Sequence, residues 1–542
     1  MPPALRPPVN RHPLRAWQRR AMEALAGWSG AEPILISAAP GAGKTRPALE
    51  YARAQLKAGA IGALIVACPT APLTRQWAHA AHELGIDLAP DADSPRPPAG
   101  FHGVSVTYAR IARAPRRWAS ALPRATLLIA DEAHHLGEDL TWGESFATAF
   151  ADRAHWLLLS GTPFRSDATP IPGVSYDSEG IAEPDVSYTF AEAVADGVCR
   201  PVCFVAYDGT LSWRSGDDVI ESGFDTVLST REASRRYRTA ISTELPDGLP
   251  RILREADARL RTVRQDGHPD AGGLVVAADS EHARQIAKLL RGATGRAPVV
   301  VLHAEARAAR RLAEFRTSRE PWIVAVNMVS EGVDIPRLRV GVYATAAKTP
   351  LIFRQIVGRF VRVIPDRPPE PSWLYVPADP VLREHAATIE REVRRALRRP
   401  GEPDPAELEE PRERRQTERT PALDFEPVSA DVAPQLSLFG GSTAVAAAPR
   451  PVPAAARWLT PEPEPVEARA EPAAVPAFER RARLRDERHR LVSEVRRRDG
   501  TSHREINAWL NRALGIASVE QATLPQLERS VELLLDRLTA RR

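Results

Sequence analysis

A cation and a hydroxyl stand side by side at Lys44-Thr45, closing the stretch Ser37-Ala38-Ala39-Pro40-Gly41-Ala42-Gly43-Lys44-Thr45. Gly41 and Gly43, on either side of Ala42, let backbone N–H groups turn toward a polyphosphate. Lys44 would reach the β- and γ-phosphates, and the Thr45 hydroxyl would hold Mg²⁺. The apolar run Ile34-Leu35-Ile36 precedes the stretch and the helix-forming Ala48-Leu49-Glu50-Tyr51-Ala52 follows it, the strand–loop–helix context that a phosphate loop requires. Ala38 stands where the full G-x-x-x-x-G-K-[ST] pattern has its first glycine. Asp131-Glu132, after the apolar Leu127-Leu128-Ile129-Ala130, supplies the missing acids. Asp131 can hold Mg²⁺ through water while Glu132 polarises an attacking water. Gln18, on a helix ahead of the loop, can donate to and accept from the edge of adenine. The cofactors expected are ATP and Mg²⁺.

The second half of the chain has no glycine-rich phosphate loop. It carries Ser330-Glu331-Gly332-Val333-Asp334 and then Gln355-Ile356-Val357-Gly358-Arg359-Phe360-Val361-Arg362. Arg359 and Arg362, three apart, are predicted on one helical face. Two aligned arginines without a nucleotide site of their own suit a lobe that completes the first lobe's chemistry, a role worth roughly 10³–10⁵ in rate.

Elements that could position these groups are legible as alternating short apolar runs and helical patterns. In the first half the runs are Ile34–Ile36, Ala63–Ala67, Val104–Thr107, Leu127–Ala130 and Trp156–Leu159; in the second they are Leu274–Ala278, Val299–Leu302, Trp322–Val326, Val340–Ala344 and Trp373–Val376. Such alternation predicts an α/β fold of parallel sheets covered by helices, with functional groups at the carboxyl ends of the strands. Residues 165–270 read as irregular between the two sets.

The chain has 542 residues, 43% hydrophobic and 26% charged, the composition of a globular protein. Fifty prolines are too many for compact domains throughout, so a disordered stretch is expected. Cys68, Cys199 and Cys203 offer neither a disulfide framework nor zinc spacing and read as reduced thiols. The start lacks a signal peptide's apolar core and no apolar run reaches membrane-spanning length, so a cytoplasmic location and no membrane partner are expected. Net charge is +4, but residues 479–542 hold 15 Lys/Arg against 10 Asp/Glu, leaving the rest near −1. No nuclease metal cluster is evident.

The ordered segments resemble the motor of superfamily 2 DEAD/DEAH-box-type helicases and translocases over roughly residues 10–395. The matches are Gln18, the A-x-P-G-x-G-K-T loop, Asp131-Glu132-Ala133-His134, Ser160-Gly161-Thr162, Glu331-Gly332-Val333-Asp334 and Q-x-x-G-R-x-x-R. Loops of this superfamily commonly begin with Ala, which accounts for Ala38. Ser160-Gly161-Thr162-Pro163-Phe164-Arg165 is similar to the branch of restriction-enzyme motor subunits and fork- or repair-associated DNA translocases. The resemblance implies two tandem RecA-like domains, with Asp334 at the nucleotide and His134, Ser160, Thr162, Gly332 and Gln355 coupling hydrolysis to motion. It implies Thr70, Thr107, Tyr108 and Ser330 along a strand-binding groove. ATP would bridge Lys44 and Arg359/Arg362, and hydrolysis would let the domains part. DNA is the expected partner; an RNA-dependent helicase and a non-motor ATP switch or scaffold are the alternatives.

On this basis residues 1–205 form a first, ATP-binding RecA-like domain and 206–265 an irregular or helical connection. Residues 266–398 form the second RecA-like domain, 399–478 a disordered Pro/Ala-rich linker, and 479–542 a small basic all-α module. Inside the linker Gln435-Leu436-Ser437-Leu438-Phe439 is an apolar island resembling the Q-L-[SD]-L-F peptide that docks bacterial replication and repair proteins on the DNA sliding clamp. There Leu438 and Phe439 would fill an apolar pocket and Gln435 would bond at its rim. The arginine-rich start of the tail (Arg480, Arg481, Arg483, Arg485, Arg488, Arg490, Arg496, Arg497, Arg498) reads as an auxiliary nucleic-acid grip.

Overall fold

The computed structural model describes residues 3–9, 12–138, 140–150, 154–161, 171–177, 182–215, 218–302, 305, 308–326, 335–364, 367, 370–396, 426–437, 475–516, 519 and 522–539. Thr162, Ser330, Gly332, Asp334, Leu438 and Phe439 lie outside them. The chain divides into two compact units, one of residues 1–37, 43–187 and 462–542, the other of residues 38–42 and 188–461.

In the first sheet, β1 (Ile34–Ala38), β2 (Ala63–Cys68), β3 (Leu88–Pro90), β4 (Gly103–Thr107), β5 (Thr126–Asp131), β6 (Ala154–Ser160) and β7 (Val186–Tyr188) lie in the order β3-β4-β2-β5-β6-β1-β7. Residues of β2 and β5 are buried throughout, which is why these strands read as unbroken apolar runs. The parallel register pairs Ser37 with Ser160, Asp131 with Leu159 and Cys68 with Thr107. The loops that leave β1, β2, β4, β5 and β6 therefore open along one edge of the sheet. Helices α1 (Ala16–Gly27), α2 (Thr45–Ala58), α3 (Ala71–Glu83) and α4 (Tyr108–Ala112) carry or flank those loops.

The second sheet holds β8 (Val202–Ser215), β9 (Asp218–Ser222), β10 (Gly272–Ala277), β11 (Val299–Val301), β12 (Trp322–Val326), β13 (Leu338–Ala344), β14 (Ser372–Pro377) and β15 (Glu426–Ser437). Its order is β11-β12-β10-β13-β14-β8-β15, with β9 paired to β8. Strands β10 to β14 and β8 pair in parallel, while β9 and β15 lie antiparallel to β8.

Residues 206–265, expected as an irregular or helical connection, include the helices Thr230–Ala240 and Leu249–Gln265, and also strand residues: β8 begins at Val202 and pairs along β14. The stretch expected as linker forms a strand over Glu426–Ser437. Ala430 and Val432 of β15 are buried, and a Cβ at Gly209 would overlap the Asp431 carbonyl, so the two strands need glycine at that crossing. Pro427 and Pro434 fit a strand at the sheet edge, where one side makes no ladder bonds.

The tail folds as three helices, Ala477–Asp499, His503–Leu514 and Leu524–Thr539. Ser502 and Glu505 form the capping box at the second start. Leu491, Val492, Val495, Ile506, Leu510, Val531 and Leu534 make its core. The bundle docks on the first unit: Phe478 meets the His79 ring edge-on at 4.8 Å, and His79 Nε2 lies 2.8 Å from Glu479 Oε1. Three of the arginines read as a grip turn inward. Arg481 and Arg485 donate to the Ala522 and Val519 carbonyls at 2.6 and 3.3 Å, and Arg488 is 6% exposed. Among the described residues no helix is long and apolar enough to cross a membrane.

Candidate nucleotide site

Gly41 and Gly43 both adopt φ of +87°, the left-handed region where a side chain is strained, and Thr45 opens α2. The backbone is therefore shaped as the glycine pattern predicts. Gln18 is buried on α1; its Oε1 accepts from the Arg15 N–H at 2.9 Å and its Nε2 donates to the Gly43 carbonyl at 3.1 Å. The residue expected to read adenine is thus also a strut for the loop.

Lys44 Nζ pairs with Glu132 Oε1 at 3.1 Å. Glu132 sits at φ +51°, a costly conformation for a residue with a Cβ, and the Ala133 N–H bond to the Leu159 carbonyl at 2.9 Å fixes the turn beside it. His134 Nδ1 is 3.6 Å from Glu132 Oε2 and 3.0 Å from Ser160 Oγ, so the ends of β5 and β6 are joined through one buried imidazole. Burial pushes on the Glu132 carboxyl to raise its pKa, but the charge of Lys44, with His134 and His135, overrides it and holds the group well below its usual range. Asp131 behaves oppositely: burial, then the neighbouring Glu132 charge, lifts its pKa to about 6 against the pull of Lys44.

Buried Asp131 and the adjacent, part-exposed Glu132, which pairs with the Lys44 ammonium, form a hard-oxygen donor set, and the Thr45 hydroxyl stands at the start of α2. The residues fit Mg²⁺, whose charge beside Asp131 would favour the ionised carboxylate. Among the described residues no group of three or more His, Cys, Asp or Glu forms a cage that could hold a metal alone.

Tyr108 corrects its expected place on the groove: it is 1% exposed and its hydroxyl donates to the Asp131 carbonyl at 2.7 Å, because the ring fills the core beneath α4. Thr107 caps α4, accepting from the Arg110 N–H at 3.3 Å, and Thr70 occupies the N-cap of α3. Trp77, which sequence reasoning passed over, donates from Nε1 to Asp131 Oδ2 at 2.7 Å. Nothing in the pattern Thr74-Arg75-Gln76-Trp77 marks that bond; only the packing of α3 on the sheet creates it.

In the second unit the helix Pro350–Val357 ends at Gly358, so Arg359 and Arg362 do not share a helical face as expected. Arg359 lies in the turn beyond the helix and Arg362 in an extended bridge to Cys199. The chain leaves the helix to bury Phe360 and Val361, which are pinned by Ser372 Oγ donating to the Phe360 carbonyl at 2.7 Å and Arg200 N–H to the Val361 carbonyl at 2.8 Å. Gln355 is half-buried on the helix. The backbone of Gln435, Leu436 and Ser437 pairs with Ala206, Val205 and Phe204 in β15.

A fold of this kind with this loop and acid pair defines a family, and the chain belongs to it: residues 15–169 match the DEAD/DEAH box helicase model and 259–364 the helicase conserved C-terminal domain. These are the domains of an ATP-hydrolysing helicase or translocase. Among its relatives, the chain is 42% identical over 451 residues to the Uncharacterized protein Rv2917 of Mycobacterium tuberculosis strain H37Rv, covering 81% of this chain and 74% of that one. It is 38% identical over an alignment of 563 positions to the Uncharacterized protein MT2985 of strain CDC 1551, covering 96% and 92%. A solved structure of similar fold is the ATP-dependent Type ISP restriction-modification enzyme LlaBIII bound to DNA, at 16% identity and a TM-score of 0.45 over 72% of this chain. The chain spans 30% of that enzyme's length.

Proposed function

We propose that this protein is a superfamily 2 DNA helicase or translocase that couples Mg²⁺-dependent ATP hydrolysis to movement along a strand. The observation that carries the reading is the Lys44–Glu132–His134–Ser160 chain of contacts, which links a phosphate-binding lysine to the end of a neighbouring strand. Thr45 and Asp131 would hold Mg²⁺, whose chemistry there is to neutralise charge on the phosphates. Lys44 binds the phosphates, and binding draws it from Glu132, which frees that carboxylate to orient and deprotonate a water. Displacement of Glu132 reaches Ser160 through His134. Arg359 and Arg362 supply charge that stabilises the transition state.

The Ser160-to-Arg165 segment favours DNA over RNA. The Gln435–Phe439 peptide, by its resemblance, supports a tether to the DNA sliding clamp. For the tail, the grip is reduced to its outward arginines, of which Arg483, Arg490, Arg496 and Arg497 are exposed. ATPase rates with single-stranded DNA, duplex DNA, forked DNA and RNA, each at stated salt, test the proposal. DNA stimulation is expected, and stimulation by RNA alone would overturn it.

A further inference from the structure

Trp77 is 2% exposed and lies in the second turn of α3, about 9 Å along the axis from the helix start. Its indole N–H could remain unpaired without unfolding the protein, since the Nε1 atoms of Trp156 and Trp373 are buried with no hydrogen-bond partner among the described residues. Instead it donates to a carboxylate oxygen at 2.7 Å, a charge-assisted bond stronger than one to a neutral acceptor. Tyr108, opening α4, donates to the carbonyl of the same Asp131 at 2.7 Å. Two helices that begin at the strand ends beyond β2 and β4 thus hold one acid, α3 by its side chain and α4 by its backbone.

We infer that Trp77 is a positioning residue for Asp131, fixing one carboxylate oxygen so that the other faces the metal, and that it relays strand occupancy at the start of α3 to the metal site. The relay rests on the proposed strand groove; the positioning does not. A strand pressing on the Thr70 end of α3 would shift the helix along its axis, and the indole moves with it. The carboxylate then turns toward or away from the metal, so that hydrolysis responds to nucleic acid.

The test uses the full chain and Mn²⁺ as a paramagnetic probe, titrated against the ADP-bound protein by electron paramagnetic resonance. Trp77→Phe keeps an aromatic ring, of smaller volume, and loses the donor; Mn²⁺ affinity should fall about 10-fold. The ratio of DNA-stimulated to unstimulated ATPase should drop by at least about fivefold. Trp118→Phe removes a buried indole of the same core and should leave both readouts at wild-type values. Should Trp77→Phe fail to fold, Trp77→Met, which also lacks the donor, decides, with a loss in Mn²⁺ affinity expected again. Wild-type Mn²⁺ affinity in a folded Trp77→Phe protein overturns the positioning role. A wild-type stimulation ratio in that variant overturns the relay. If the unmodified protein shows no stimulation at all, the motor reading fails while the Mn²⁺ titration still judges Trp77.

Discussion

Replacing Glu132 by Gln removes one charge and a proton acceptor while keeping the side chain's shape, including its tolerance of φ +51°. The amide can still accept from Lys44 Nζ across 3.1 Å, so the loop keeps its strut but loses an ion pair that phosphates must displace. Nucleotide affinity should therefore hold or tighten, by up to about 10-fold for a gain of about 1.4 kcal/mol. Turnover should collapse. Loss of a positioned general base costs about 10²–10⁴ in rate, or roughly 3–5 kcal/mol of barrier. A second effect follows from the same geometry. The Glu132 charge helps to hold the Asp131 pKa at about 6, so in the variant that value should fall toward the ordinary carboxylate range and metal binding should persist to lower pH. Phosphate release gives kcat, and a fluorescent nucleotide gives Kd. A Glu132→Gln protein that binds ATP normally and turns it over within a few-fold of wild type would refute the base assignment.

Arg359→Ala should leave ATP binding in place and cut turnover by about 10³-fold or more, read as kcat against Kd; weakened binding at normal kcat would count against its role. Changing Leu438 and Phe439 to Ala should abolish capture by purified sliding clamp and spare the ATPase, and unchanged capture in a binding assay would remove the tether. Burial and the neighbouring Glu132 charge raise the Asp131 pKa to about 6. The group's stabilising contribution is complete below the unfolded value of 3.8 and is lost as pH rises through about 6, where the ion forms in a buried site. Mn²⁺ affinity should run the other way, weakening as pH falls through about 6 because the protonated acid cannot coordinate, and a flat titration from pH 5 to 8 would contradict it.

Much of the architecture was legible because its signals are physical necessities. Parallel strands buried on both faces are mostly apolar, which is why the runs Ala63–Ala67 and Leu127–Ala130 stand out. A loop that turns N–H groups on a phosphate needs positive φ, which is why Gly41 and Gly43 do too. Strand β15 was hidden by its composition: an edge strand tolerates Pro427, Pro434 and exposed Asp431, the residues that otherwise signal a linker. Arginine at helical spacing does not say which way it points. Arg481 and Arg485 serve loop carbonyls and Arg488 the bundle interior, whereas Arg497 is exposed. The helical face expected for Arg359 and Arg362 failed at Gly358, where burial of Phe360 outweighed continuation of the helix. Trp77 and Tyr108 belong to the site through packing across 54 and 23 residues of sequence, a relation no local pattern carries.

The most direct test is phosphate release by the full chain and its Lys44→Ala variant, each with saturating Mg²⁺·ATP, in the presence and absence of single-stranded DNA. The wild type should hydrolyse ATP faster with DNA, and the variant should stay at background in both conditions. Turnover by Lys44→Ala at the wild-type rate would show that the phosphate loop, Asp131 and Glu132 are not where this protein splits ATP.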